Sequence, residues 1–489
     1  SVIDFETVDP ALGTWEDIDA LGRRYQLMFD GVVNHVSSKS RWFRAFRDGN
    51  PYYGAFFIAY SSPGELTPEQ RRLIFRPRTS DILTRFDTLD GPRFVWTTFS
   101  DDQIDLDFKN PNVLVRVLEV LLLYVCRGAD IIRLDAVTYL WEEPGTRCVH
   151  LEQTHEIIRL FRDVLNLVAP SVALITETNV PHQENISYFG NGRDEAQMVY
   201  NFALPPLVLH AFYTQDATHL SQWAATLDRA SDTTTYLNFL DSHDGIGVMG
   251  VMDLLPQAEI DRLVATAREH GALVSYKTAE DGTESPYEIN TTWFSALNPD
   301  DGTEDHAFQV RRFVASRAIA LVLPGVPGVY LHGLIGSRND IEAVAATQSK
   351  RDINRAVIDA GALTQALCDP ESNAACISRE VGRLILLRTR TGTFHPNGAQ
   401  HVLTLSPRVF AVLRVSPDGT QRVLALTNVS ATPCRLAVSL AELSAPEDRW
   451  RDMLSGIEWM ADEGTLTVTV DAYGVLWLEP VYGHTSQAS

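Results

Sequence analysis

Residues 131–137 read IIRLDAV, so Arg133 and Asp135 stand two apart in an otherwise apolar run. In a strand that spacing puts both side chains on one face, and a strand of this composition is buried, where an unpaired charge is expensive. A structural ion pair accounts for the two residues as well as chemistry does. Three further apolar runs end in comparable groups: DGVVNH carries Asp30, Asn34 and His35, LITETN carries Glu177, and FLDSHDGIG carries His243 and Asp244. Each alone reads as a loop-start cap or a solvated charge, but four such endings in succession point to one shared mouth at the C-terminal ends of parallel strands. Three carboxylates gathered there suit the breaking of a glycosidic bond. One attacks the anomeric carbon, one protonates the leaving oxygen, and one supports positive charge in an oxocarbenium-like transition state.

The elements that must carry these residues alternate. Thr14 with Asp17 three residues on resembles a capping box and predicts a helix to about Arg24, and QLMFDGVV follows as a strand. Asn110 and Pro111 supply an N-cap and first turn for a helix that Gly128 ends, and DIIRLDAV follows. Residues 154–168 predict an amphipathic helix stopped by Pro170, before VALITETN. AQMVYNFAL, TTYLNFLDSHD and GVPGVYLHG are later strand candidates, which makes six, with SVID as a possible remnant of another. Alternation of this kind favours a (β/α)8 TIM barrel over an open sheet. We expect the catalytic barrel over 1–400, interrupted by a Gly-, Pro- and aromatic-rich inserted subdomain at about 36–108. The alternating texture and turn signals from about Val402 predict a small antiparallel β domain over 401–489.

The chain has 489 residues, of which 45% are apolar and 21% charged, enough for one large domain and a smaller one. Its net charge of −22 argues against non-specific binding to nucleic acid or to anionic membranes. Five cysteines, an odd number without CxxC spacing, indicate neither a disulfide framework nor a zinc site. The most apolar stretch, VLEVLLLYV, is about half a membrane span. These features lead us to expect a soluble cytoplasmic protein.

DGVVNH, IIRLDAV, ITETN and FLDSHD, in this order, resemble the four signature regions of the α-amylase superfamily, glycoside hydrolase family 13. The resemblance implies a retaining mechanism with Asp135 as nucleophile, Glu177 as general acid/base and Asp244 as transition-state stabiliser. It also implies that His35, Arg133 and His243 hold the glucosyl unit. The roles are physically coherent: a cation at Arg133 keeps a neighbouring nucleophilic carboxylate ionised, while Glu177 needs surroundings that let it hold a proton. The chemistry needs neither a metal nor a cofactor.

Outside those regions, VDPALGTWEDI, IFRPRTSDILT, VWTTFSDDQIDLD, NFALPPLVLHA, LPGVPGVYLHG and RDINR are similar to the sucrose phosphorylase branch over nearly the whole chain. The partners so implied are a small α-glucoside and inorganic phosphate, with α-glucose 1-phosphate as product. Arg355 would hold the glucosyl unit, and Tyr139, Phe99 and Gln103 would line the donor pocket. Arg78 of RPR would meet phosphate or acceptor, though as a bare residue it also reads as a solvated loop charge. TSDILTRF, GIGVMGVMDLL and the segment ITETNVPHQENISYFGNGRDEAQMVYNF are closer to the glucosylglycerate phosphorylases of that branch, whose leaving group is an anionic glycerate. Against this stand a hydrolase or transglucosidase using the same triad, and a catalytically dead sugar-binding relative. Relatives carry a first strand, a helix and most of a second strand ahead of SVID, on the order of fifty residues for about one and a half βα units. The chain is therefore expected to lack these N-terminal units.

Overall fold

A computed structural model describes residues 1–228, 230–278, 283–300 and 302–482. The chain divides into two compact units, the first comprising Ser1–Tyr200, Ala230–Thr234 and Tyr276–Tyr287, the second Asn201–Arg229, Thr235–Ser275 and Glu288–Ser489.

The first unit contains four parallel strands: β1 (Met28–Gly31), β2 (Ile131–Leu134), β3 (Ala173–Thr176) and β4 (Met198–Tyr200). They lie side by side in chain order, with Asp30 in register with Arg133, Arg133 with Ile175 and Ile175 with Met198. The helix Pro111–Cys126 leads into β2. Its N-cap is Asn110, whose side chain accepts from the Asn112 N–H at 3.0 Å, and its buried face is Val113, Val117, Val120, Leu121 and Tyr124. Gly128, at φ +88, turns the chain out of this helix, a conformation that a side chain would strain. The helix before β3 spans Glu152–Val168 and starts two residues ahead of Thr154, the expected first residue; Leu151 is its N-cap, with no side-chain cap. Near the N-terminus, the Thr14 N–H donates to Asp17 Oδ2 at 2.8 Å and caps the helix Trp15–Gly22, which ends two residues before Arg24.

Between β1 and β2 the chain builds two small antiparallel sheets. In one, Leu83–Thr88 pairs with Gly91–Trp96, which also pairs with Ala59–Tyr60; in the other, His35–Ser37 pairs with Gln103–Asp105. Leu66, Ile74, Ile82, Leu83, Trp96 and Cys148 form a buried cluster under this region.

The second unit holds two parallel strands, β5 (Thr235–Asn238) and β6 (Val326–Pro327), in register at Leu237 with Val326. All six expected runs thus contain strands, though GVPGVYLHG yields only two strand residues before the chain enters the helix Leu331–Leu334. Gly325 explains the abrupt start of β6: at φ +141, a Cβ there would lie 2.6 Å from Asn238 Nδ2 and from the Tyr236 carbonyl oxygen. The helix His306–Val322, buried along most of its length, delivers the chain to this point.

Among the described residues from Ala399 onward every strand pairing is antiparallel. Leu424, Leu426, Trp450, Leu466, Val470 and Leu478 sit in the centre of these strands, where each fully buried large apolar side chain contributes roughly 2–3 kcal/mol. Among the described residues no helix is long and apolar enough to cross a membrane.

Candidate active site

In the first unit, Asp135 and Glu177 are the residues that immediately follow β2 and β3. Their preceding residues, Leu134 and Thr176, are register partners, so the two residues leave neighbouring strands, whose backbones lie about 4.8 Å apart. The backbone continues the ladder through both: the Asp135 N–H donates to the Gly31 carbonyl at 3.2 Å and the Glu177 N–H to the Leu134 carbonyl at 3.1 Å. After Asp135 the chain turns sharply, Ala136 adopting left-handed φ 50 and ψ 32, and the Ala136 N–H donates to Glu177 Oε2 at 3.3 Å. The turn therefore gives Glu177 a hydrogen bond from the residue next to Asp135.

Arg133 organises the charges. Its Nη1 donates to Asp30 Oδ1 at 2.6 Å and to Asp135 Oδ1 at 2.8 Å, its Nη2 lies 3.9 Å from Glu177 Oε1, and its Nε donates to Tyr200 Oη at 3.1 Å. The Arg133 side chain is 5% exposed, against 22% for Asp135 and 16% for Glu177. Burial disfavours the guanidinium, but Glu177, Asp135 and Asp30 outweigh it and raise its pKa. A fixed cation beside Asp135 holds the carboxylate in place through a charge-assisted hydrogen bond.

His35 opens the short strand antiparallel to Gln103–Asp105, and its Nε2 lies 2.9 Å from Gln103 Nε2. Burial pushes the imidazole down to about 4, against the opposing attraction of Asp135. His35 is therefore neutral near pH 7 and offers one donor and one acceptor. Its ring stands 5.5 Å from Phe99, which meets Tyr139 edge-on at 5.2 Å. Burial raises the Tyr139 phenol well above its ordinary value. Arg78 lies over Phe99 at 5.8 Å and over Tyr287 at 5.5 Å, while its Nη1 donates to the Pro77 carbonyl at 2.9 Å. Of the residues expected at the site, His35, Arg78, Phe99, Gln103, Arg133, Asp135, Tyr139 and Glu177 belong to this unit.

His243, Asp244 and Arg355 belong to the second unit. There Asp244 Oδ1 lies 2.7 Å from Arg351 Nη1 and 3.2 Å from Arg355 Nη2, and Arg355 Nε donates to the His243 carbonyl at 2.6 Å. Asn354 Nδ2 donates to the carbonyls of Ser242 and Asp244 at 3.1 and 2.8 Å, so RDINR holds the SHD turn by side chain and backbone together. Arg351 also reaches Glu288, Nη2 to Oε2 at 3.1 Å, and Glu288 Oε1 accepts from the Gly245 N–H at 2.5 Å. On the strand side of this turn, buried Asp241 pairs with Arg317 through both guanidinium nitrogens, the Nη1 contact at 2.8 Å.

Tyr200, Arg351 and Glu288 were not legible as site residues. Arg351 opens the RDINR run and could have been paired with Arg355 by proximity in sequence, whereas Glu288 carries no local signal. Asp30 reads in the sequence as a strand-end carboxylate, but nothing local joins it to Arg133. Among the described residues no group of three or more His, Cys, Asp or Glu is placed to hold a metal ion.

The model of the alpha-amylase catalytic domain family matches residues 1–311. The chain is 42% identical over 485 residues to the glucosylglycerate phosphorylase of Spirochaeta thermophila, covering 98% of this chain and 81% of that protein. It is 46% identical over 433 residues to the glucosylglycerate phosphorylase of Allomeiothermus silvanus, covering 88% and 76%. Among solved structures, sucrose 6F-phosphate phosphorylase from Thermoanaerobacter thermosaccharolyticum superposes with a TM-score of 0.75 at 26% identity, over 87% of this chain and 84% of that one. Likeness of this extent gives the fold as a TIM barrel with a C-terminal β domain.

Proposed function

The chain belongs to the alpha-amylase family, and on that premise we propose that it is a retaining phosphorylase that cleaves the α-glucoside of a small hydroxy acid, glucosylglycerate, with inorganic phosphate. The observation that carries this reading is the pair of neighbouring strand ends, with Arg133 bonded to Asp135 and Glu177 one strand away, in a chain 42% and 46% identical to two glucosylglycerate phosphorylases.

Asp135 attacks the anomeric carbon, and the bond to the leaving oxygen breaks as Glu177 gives that oxygen its proton. A glucosyl ester of Asp135 results. A phosphate oxygen then attacks the same carbon, Asp135 leaves as a carboxylate, and Glu177 takes a proton from the incoming phosphate. Two inversions give net retention and α-glucose 1-phosphate. Asp244 stabilises the positive charge that develops in the transition state of each attack. His35, Arg133, His243 and Arg355 hold the glucosyl unit, Tyr139, Phe99 and Gln103 line its pocket, and Arg78 meets phosphate or the acceptor.

The same reading takes residues 1–400 as a (β/α)8 catalytic part, with an insertion at about 36–108, and 401–489 as the accessory β domain. It places the enzyme in the cytoplasm, a reducing compartment in keeping with its five free cysteines. It acts on small molecules, with no nucleic acid or membrane partner.

The test supplies α-glucose 1-phosphate with glycerate, glycerol, fructose or fructose 6-phosphate and measures phosphate release. Glycerate is expected to give the highest kcat/KM. Glucose release that is indifferent to added phosphate in the degradative direction would make the enzyme a hydrolase and end the proposal.

A further inference from the structure

Residues 143–151 lead from the turn around Tyr139 into the helix Glu152–Val168 on a strained backbone. Cys148 and His150 both adopt left-handed φ 55, a conformation that crowds any side chain. The His150 N–H donates to the Thr138 carbonyl at 3.3 Å, and both nitrogens of its ring have partners. Nε2 lies 3.1 Å from Glu184 Oε2, and Nδ1 lies 2.9 Å from Tyr188 Oη. The bond from His150 is the main cause that holds the Glu184 carboxyl below its ordinary value, while burial raises the Tyr188 phenol well above its own. A carboxylate only accepts and a phenol can donate, so a ring protonated at Nε2 satisfies both contacts. Tyr188 is itself fixed: its ring stacks on His155 at 4.7 Å, and His155 Nδ1 lies 2.8 Å from the fully buried Glu195.

Both ends of this clasp lead to Glu177. On one side Val149, the residue before His150, packs with Ala136 and Tyr139 in a buried cluster, and the Ala136 N–H donates to Glu177 Oε2 at 3.3 Å. On the other, Glu184 belongs to the short helix His182–Ile186. The next residue, Asn185, is bonded to the Thr178 hydroxyl and donates from Nδ2 to the Tyr200 carbonyl at 2.7 Å. Thr178 directly follows Glu177. β3 fixes where the Glu177 backbone stands, but the direction of its carboxyl group depends on what bonds it. The Ala136 bond is at the long end of hydrogen-bond geometry, so a small drift of either loop weakens it.

Resting on the phosphorylase reading above, in which Glu177 is the acid/base, we propose that His150 is a positioning residue. It clasps the loop after Asp135 to the loop after Glu177 and so aims the Glu177 carboxyl group at the leaving oxygen. That role has a kinetic signature. The alkoxide of a glucoside needs a proton from Glu177 as it departs, whereas fluoride departs without one. An acid that is badly aimed slows the first reaction and spares the second, while damage to the fold or to the sugar pocket slows both.

The test measures kcat/KM for glucosylglycerate and for α-glucosyl fluoride, each with phosphate as acceptor, in the wild type, His150→Asn, Glu184→Ala and the double variant. Asparagine tolerates the left-handed backbone but is too short to keep both ring contacts. Glu184 is 38% exposed, so its removal spares the fold. Each single variant is expected to lower kcat/KM for glucosylglycerate about tenfold, part of what a positioned acid supplies, and to leave the fluoride within about twofold of wild type. The double variant is expected to be no worse than His150→Asn, because the two side chains act as one unit. An equal fall for both donors gives the clasp a structural part only and overturns the assignment. Glucosylglycerate kinetics unchanged in both single variants, or losses that add in the double variant, overturn it as well. If the variants show the leaving-group dependence while wild-type turnover is indifferent to phosphate, the phosphorylase reading fails and the positioning role stands. A wild type that turns over neither donor ends both.

Discussion

Arg133 reaches past the end of β2 to Asp135, its Nη1 donating to Oδ1 at 2.8 Å. The same nitrogen serves Asp30 at 2.6 Å, so one buried cation balances two carboxylates with a third, Glu177, at 3.9 Å. Removing it leaves negative charge uncompensated. Because Asp30 and Asp135 retain access to water, Arg133→Met is expected to destabilise the fold by about 2–3 kcal/mol, below the 3–5 of a fully buried pair. Denaturant titration checks this. Loss of orientation at Asp135 is expected to lower kcat/KM by roughly 10²–10³-fold.

The two carboxylates that follow β2 and β3 are expected to fail differently. Asp135→Asn removes the nucleophile and should abolish turnover with every donor, a fall of about 10⁴-fold or more. Glu177→Gln removes only the proton donor, a loss of roughly 10²–10⁴-fold with a glucoside, and should retain formation of the covalent intermediate from α-glucosyl fluoride, whose leaving group needs no proton. Mass spectrometry of the intact protein after mixing with the fluoride distinguishes them. A glucosylated Asp135→Asn variant would displace the nucleophile to another residue.

Arg351 spans Asp244 at 2.7 Å and Glu288 at 3.1 Å. The Glu288 side chain is almost fully buried, so Arg351→Met strands its charge and is expected to destabilise by about 3 kcal/mol. Glu288→Gln keeps the shape and the acceptor for the Gly245 N–H while removing that charge. The double variant should then be more stable than Arg351→Met alone, and a four-membered cycle of unfolding free energies measures the coupling. Additive losses would show that the Arg351–Glu288 contact contributes nothing.

His35 gives the pH prediction. Its imidazole titrates at about 4 in the folded protein, against an ordinary 6.5. The unfolded chain therefore takes up the proton first, and stability present above pH 6.5 is lost as pH falls from there to about 4, by on the order of 3 kcal/mol. Burial raises the carboxyl groups of Asp105 and Glu142, which acts in the opposite sense, removing stability as pH climbs out of the carboxylate range. The His35 share is read as the difference between wild type and His35→Asn in unfolding measured at pH 7 and pH 4.5. An identical pH slope in the two proteins would rule it out.

Much of this site was legible before any tertiary contact was known. A period of two places Arg133 and Asp135 on one face, and apolar runs that end in carboxylates or histidines mark strand ends. The helix over Pro111–Cys126 followed from an Asn-Pro start, a buried stripe and a terminating glycine, all of them local features. Boundaries set by packing were less visible: the helix expected from Thr154 begins at Glu152, and the last expected strand shrinks to Val326–Pro327 where Gly325 closes on Asn238.

What the chain order alone determined is therefore the chemistry available, the strand ends that carry it and the family likeness. What only the tertiary structure decided is who neutralises whom. Asp30 and Arg133 are 103 residues apart and become partners because β1 and β2 pair in that register. Glu288 and Arg351, 63 residues apart, meet at the SHD turn, and Arg76 and Lys277 come to line one cavity through a bridge between Arg76 and Thr278. A sequence pattern reports the face on which a side chain lies, since that depends on backbone period. Pairings between distant segments depend on register and loop packing, which no local period encodes.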